Sequence, residues 1–185
     1  MSVRTWIALM RGINVGSTRK LPMAELRALC TEMGWARPET YIQSGNLIVD
    51  APGDAAAVRR LLEQEIGDRF GLKPIDVIVR AASEWAGHAQ ANPFADDTAA
   101  LPKLVHLCLS RDPLKPDAAE ALRARAVAGE RIETANGALW IDFADSGVAK
   151  SKLTPAFIDK CAGSPVTARN WNSVQKIAEM IGARG

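Results

Sequence analysis

The apolar positions of this chain change period several times, and each change marks an element. Trp6 to Met10 is a continuous apolar run ending in polar, Gly-containing sequence, the pattern of a short buried strand. From Met23 the period lengthens. Met23, Leu26, Cys30 and Met33 recur at helical spacing, Pro22 suits the first turn, and Gly34 stops the helix. Thr40 to Ile42 and Leu47 to Val49 are β-prone segments around Ser44-Gly45; they read as a hairpin, or alternatively as one long strand bulged at Gly45. Asp54 then caps a helix with Val58, Leu61, Leu62, Ile66 and Phe70 on one side, Gly71 closes it, and Ile75 to Val79 is a further strand. The order is βαββαβ, the ferredoxin-like unit.

A helix from Ser83 to Ala91, ended by Asn92-Pro93, leads to the same order again. Leu104 to Leu109 is a strand, and Asp117 with Glu120 forms a capping box for a helix running to about Ala128. Arg131 to Thr134 and Ala138 to Phe143 flank Asn136-Gly137, the strongest hairpin signal in the chain. Thr154-Pro155 opens a helix through Phe157, Ile158 and Cys161 that Gly163 closes, and Val166-Thr167 is a brief strand. A terminal helix from Asn172 or Ser173 to Ile181 is extra. The pattern therefore predicts an α+β protein, a tandem duplication of two ferredoxin-like βαββαβ units. The first unit covers residues 1 to 82, a linker helix and loop 83 to 102, and the second unit with its C-terminal helix 103 to 185.

Composition adds little beyond a packed core. The 185 residues are 48% hydrophobic and 24% charged, and the longest apolar runs are too short to span a membrane. No signal segment is visible at the N-terminus, so a cytoplasmic protein without a membrane partner is expected. Cys30, Cys108 and Cys161 stand singly among apolar neighbours and read as core residues rather than a disulfide framework or zinc site.

Net charge is +2 and looks uninformative until it is divided. Arg11, Arg19, Lys20 and Arg27 are opposed within their window only by Glu25. Lys150, Lys152, Lys160, Arg169 and Lys176 are likewise opposed only by Asp159. Positive charge gathered into two places is a local signal for an anionic partner.

The expected strand order, 4-1-3-2, makes the loop after the first strand and the hairpin between the second and third emerge at one sheet end. Arg11, Asn14, Ser44 and Asn46 should then be neighbours. A guanidinium fork, two amides, a hydroxyl and the backbone near Gly12, Gly16 and Gly45 would suit phosphate or carboxylate. In the second half Lys150 and Lys152 are expected near Arg169, Asn170 and Asn172, with Trp171 either stacking on a ring or packing in the core, and with Asn172 a possible cap through Gln175. The spacing at Gly12 and Gly16 is neither a P-loop nor a dinucleotide fingerprint. His88 and His106 have no ligand partners at metal spacing, and Ser44 lacks a nucleophile elbow. No metal or cofactor is expected.

Several of these residues also carry a resemblance. Ala8-Leu-Met-Arg-Gly-Ile-Asn-Val-Gly16, Met23-Ala-Glu-Leu-Arg27, Thr40-Tyr-Ile-Gln-Ser-Gly-Asn46, Asn92-Pro-Phe94 and Thr167-Ala-Arg-Asn-Trp-Asn172 resemble the bacterial family called domain of unknown function 1697. The resemblance implies a small cytoplasmic α+β protein and transfers no activity, cofactor or catalytic residue. Its motif positions also include Tyr41, Arg80 and Lys103, and Ser17 and Ser173 stand where Gly and Thr are usual. Together these features favour a phosphate-recognising protein for nucleic acid or a nucleotide. The alternatives are a metal-independent enzyme on a small phosphorylated or carboxylated substrate, assisted by Ser44 or Tyr41, and an interaction module whose motifs are structural.

Overall fold

The computed structural model describes residues 2–98, 101–144 and 147–185, with backbone only for Asp97 and Thr98. The chain divides into two compact units, Met1–Trp85 and Ala86–Gly185. In the first, β1 (Val3–Met10) is followed by α1 (Met23–Glu32), β2 (Ala36–Tyr41), β3 (Asn46–Pro52), α2 (Ala55–Phe70) and β4 (Val77–Ala81). All strand pairs are antiparallel and the order is β2-β3-β1-β4. Alternate residues explain the packing. Trp6, Ala8 and Met10 of β1, with Leu47 and Val49 of β3 and Val77 and Val79 of β4, meet Leu26 and Cys30 of α1 and Val58, Leu62 and Ile66 of α2. The opposite face of β1 is also buried, at Ile7 and Leu9, so this strand reads as a run rather than an alternation.

From Ala82 the chain enters α3 (Ala82–Gln90) with no intervening loop, and the division between units falls inside this helix. There follow α4 (Ala95–Thr98), β5 (Val105–Ser110), α5 (Ala118–Arg123), β6 (Arg131–Ala135), β7 (Ala138–Asp142), a 3-10 turn (Val148–Lys150), α6 (Pro155–Ala162), β8 (Val166–Asn170) and α7 (Trp171–Gly182). The second sheet repeats the first, in the order β6-β7-β5-β8. Register repeats as well. Met10 pairs with Val77 as Ser110 pairs with Val166, and Ile7 faces Arg80 as Leu107 faces Arg169. In both units the fourth strand also runs directly into a helix, α3 or α7. The fold is thus a duplicated ferredoxin-like α+β arrangement, and each copy carries a seventh element.

Three local expectations change. Asp117 makes no side-chain cap and α5 stops at Arg123, whose Nε donates to the Ile132 carbonyl at 2.8 Å; the chain then turns through Ala124 to Ala126. The last strand extends to Asn170. Asn170 rather than Asn172 caps α7, its Oδ1 accepting from the Ser173 amide at 3.0 Å. Trp171 therefore lies inside the helix. Among the described residues no helix is long and apolar enough to cross a membrane.

Candidate functional site

The end of β1 is held from both sides. The Met10 amide donates to the Gly45 carbonyl of the β2–β3 hairpin at 2.9 Å, and the Arg11 amide donates to the Asp76 carbonyl ahead of β4 at 3.0 Å. This fixes where the loop from Arg11 to Pro22 departs. Inside it, Asn14 adopts a left-handed conformation, φ 52°, which asparagine tolerates better than most residues. Its amide Nδ2 donates to the carbonyls of Leu21 (3.0 Å) and Gln43 (2.7 Å), while its Oδ1 accepts from the Leu21 amide at 2.8 Å. One side chain thus ties the loop to itself and to the hairpin. Arg19 adds a second tie, donating from Nε to the Gly12 carbonyl (2.9 Å) and from Nη2 to the Pro74 carbonyl (2.8 Å).

Topology therefore brings Asn14 and the Ser44–Asn46 hairpin together. Their amides serve the protein itself: Asn46 is fully buried and donates from Nδ2 to the Tyr41 carbonyl (2.9 Å) and to Ser44 Oγ (3.0 Å). Arg11 lies on the β4 side of β1 and pairs with Asp76 Oδ2 at 3.4 Å. What these ties leave open is a depression of about 400 Å³ lined by Asn14, Gly16, Lys20, Leu21, Pro22 and Gln43. Lys20 is exposed at its rim. Pro22 occupies the N-cap of α1 and provides no side-chain cap, so the first amides of that helix are open to a ligand or to water. Elsewhere in the Arg11–Arg27 stretch, Arg19 bonds only carbonyls and Arg27 donates to Thr40 Oγ1 at 2.5 Å. Neutral acceptors leave both charges uncancelled. Sequence reasoning counted Lys20 in the cationic Arg11–Arg27 window but not among the candidate site residues; its place two residues ahead of the proline cap was the available signal.

Asn14→Ala should remove three hydrogen bonds and leave the Leu21 amide and the Gln43 carbonyl without that partner, lowering stability by about 2–3 kcal/mol. Denaturant unfolding of the variant checks this. Asn14→Asp should not rescue it, because a carboxylate would replace the donor facing two carbonyls.

The second expected cluster is dispersed. Lys150 and Lys152 are exposed, but Ser151 between them donates to Glu130 Oε1 at 2.5 Å, which anchors that turn beside β6. Asn170 ends β8, and β7 and β5 lie between these two edges of the sheet. Burial raises the proton affinity of Glu130, yet hydrogen bonds from Ser151 and from the amides of Ala128, Glu130 and Val127 outweigh it and hold the carboxyl below its ordinary range. Arg169 is only 8% exposed and donates from Nη1 to Thr167 Oγ1 and to the Ala168 carbonyl, both at 2.8 Å. Burial pushes its guanidinium down to about 10, so it stays charged at neutral pH. Trp171 is half-buried against Trp140, with ring centroids 5.9 Å apart, and Asn172 is exposed on the first turn of α7.

Another depression, of about 560 Å³, runs along β6 between Phe94, Arg123 and Glu130 to Thr134. Its cations are matched inside the protein, Arg123 to Glu133 at 2.9 Å and Arg131 to Asp142 at 2.5 Å. It has more room but offers an anion less. No Cys, His or Tyr side chain is among the described residues that line either place. Burial pushes the thiols of Cys30 and Cys108 up to about 12, and burial also lowers the His106 imidazole, whose Nε2 lies 3.0 Å from the Lys103 carbonyl. Among the described residues no group of three or more His, Cys, Asp or Glu side chains could hold a metal ion.

The conserved bacterial protein SP0830 from Streptococcus pneumoniae has a similar structure, with TM-score 0.73 and 21% identity over 97% of this chain and 99% of that one. At that identity the likeness extends to the fold. No curated protein matches the sequence. The family described as protein of unknown function (DUF1697) matches residues 3–140, about three quarters of the chain and all of the loop end just described, and the protein belongs to that family.

Proposed function

We propose that the protein is a binding module that recognises a phosphate-bearing ligand, a nucleotide or nucleic acid, at the loop end of the first sheet. The observation that carries this reading is an open depression with the exposed cation Lys20 in its lining, in a stretch of sequence where two further cations are tied to neutral oxygens. Arg19 and Arg27 are held rigidly without losing their charge, Lys20 stands free at the rim, and the uncapped start of α1 adds donors of the same polarity. Glu25, in the first turn of α1, is the one acidic side chain of the Arg11–Arg27 window. An open depression without a buried acid–base pair favours binding over catalysis. The free, buried thiols of Cys30, Cys108 and Cys161 suit a reducing, cytoplasmic setting.

Calorimetric titration with pyrophosphate and with a short oligonucleotide, at low salt and again at higher salt, tests this. Lys20→Ala should weaken pyrophosphate binding about tenfold, and Glu25→Gln should strengthen it by about twofold. An extended nucleic acid should lose affinity log-linearly with salt, more steeply than pyrophosphate. Wild-type protein that is folded and binds neither probe at low salt would leave the motifs as structural parts of an interaction module.

A further inference from the structure

We propose that the second unit carries an anion site of its own, a depression that binds hydrogen phosphate among Lys115, Lys160, Ser164 and Asp159. The depression, of about 440 Å³, is lined by these four residues with Gly163 and Pro165. Two segments form it, the loop between β5 and α5 and the turn between α6 and β8. Three bonds sew them together. The Arg111 amide donates to the Pro165 carbonyl at 2.9 Å, the Asp112 amide to Ser164 Oγ at 3.1 Å, and the Lys115 amide to the Ala162 carbonyl at 3.1 Å. The walls are therefore held in place before any ligand arrives.

The C-terminal end of α6 would repel an anion if its carbonyls were open. The Gly163 amide covers the Asp159 carbonyl at 2.8 Å, and Lys115 covers two more, its amide at Ala162 and its Nζ at the Lys160 carbonyl, 3.4 Å. A carbonyl leaves the Lys115 charge uncancelled, and Lys160 is exposed with no ion pair among the described residues. The first unit treats its equivalent turn differently. There the tie from the Arg11 amide to the Asp76 carbonyl matches that of Arg111 and Pro165, but Arg11 pairs with the Asp76 carboxylate and Lys73 with Asp68. Cys161 reports the imbalance in the second unit. Burial raises its thiol, and Lys160, Lys115 and Arg125 act against that rise while Asp117 alone among the charges adds to it.

Two further groups decide which anion fits. Ser164 is only 8% exposed, and accepting from the Asp112 amide leaves its hydroxyl proton to be donated to a ligand. Asp159 accepts from the Val166 amide at Oδ1, 2.9 Å. A carboxylate in the wall only accepts, so it opposes a fully ionised anion and receives a proton from one that still carries it. At neutral pH phosphate keeps a proton and sulfate has none.

Amide nitrogen–proton spectra of the full chain, titrated with phosphate and separately with sulfate at neutral pH and constant ionic strength, test this. The Lys115, Gly163 and Ser164 amides should follow one curve, with phosphate bound about fivefold more tightly although sulfate carries more charge. Lys160→Ala should weaken phosphate about fivefold. Asp159→Asn keeps an oxygen for the Val166 amide and should erase the preference by strengthening sulfate. Lys20→Ala should leave these curves unchanged, which separates this site from the one in the first unit. Unmoved amides in folded protein, sulfate bound as tightly as phosphate by the wild type, an unchanged phosphate affinity in Lys160→Ala, or a preference that survives Asp159→Asn would overturn the proposal.

Discussion

Replacing Gly45 by alanine is expected to lower the stability of the first unit by about 3–4 kcal/mol, from left-handed strain together with overpacking. Gly45 has φ +79°, and an added Cβ would lie 2.8 Å from Met10 Cβ and 2.7 Å from Ile13 Cδ1. Met10 cannot withdraw. It is the last residue of β1, its amide bonds the Gly45 carbonyl, and it pairs with Val77 on the other side. Ile13 is buried, so its side chain has little room to rotate. Gly16 provides the control. Its φ is +58°, but an added Cβ meets no atom within 4 Å, so Gly16→Ala should cost only about 1 kcal/mol of backbone strain. Urea unfolding of the two variants checks the difference; equal losses would mean that the hairpin is not clamped to β1 as described.

Arg169→Ala is expected to be the second large effect, a loss of about 3 kcal/mol in stability rather than a simple loss of binding. The side chain is 8% exposed, and truncation removes the donor to Thr167 Oγ1 and to the Ala168 carbonyl while opening a void beside Leu107. Arg169→Met fills the space and removes a charge whose burial is unfavourable, so it should stay within about 1 kcal/mol of wild type. Thermal or denaturant unfolding separates the two. If Ala and Met prove equally tolerated, Arg169 is not a packed residue, and a direct ligand contact becomes the better account.

The two sheets were legible because their signals are local: Asn136-Gly137 between apolar runs, Gly34, Gly71 and Gly163 after helical periods, and the same order twice. Strand order followed from that order. What remained hidden depended on what lies across from a residue. Asn14 and Asn46 carry the same groups whether they bind a ligand or complete a backbone, and only the positions of Leu21, Gln43 and Tyr41 decide it. Arg169 looked like a surface cation because alternation along β8 does not say that the face carrying Thr167 and Arg169 is covered. The helix α5 carried a capping signal at Asp117 and Glu120, but propensity gave way to the tie between Arg123 and Ile132. At α7, Asn170 and Asn172 are equally able to cap, and the pairing of His106 with Asn170 extends β8 far enough to select the first.

Amide nitrogen–proton correlation spectra recorded during a pyrophosphate titration at low salt test the central claim most directly. The account predicts that the amides of Gly16, Lys20 and Met23 to Glu25, with the side-chain amide of Gln43, move together along one binding curve, while those around Lys150, Lys152 and Arg169 stay still. Shifts confined to the second unit, or an unchanged spectrum in folded protein, would contradict it.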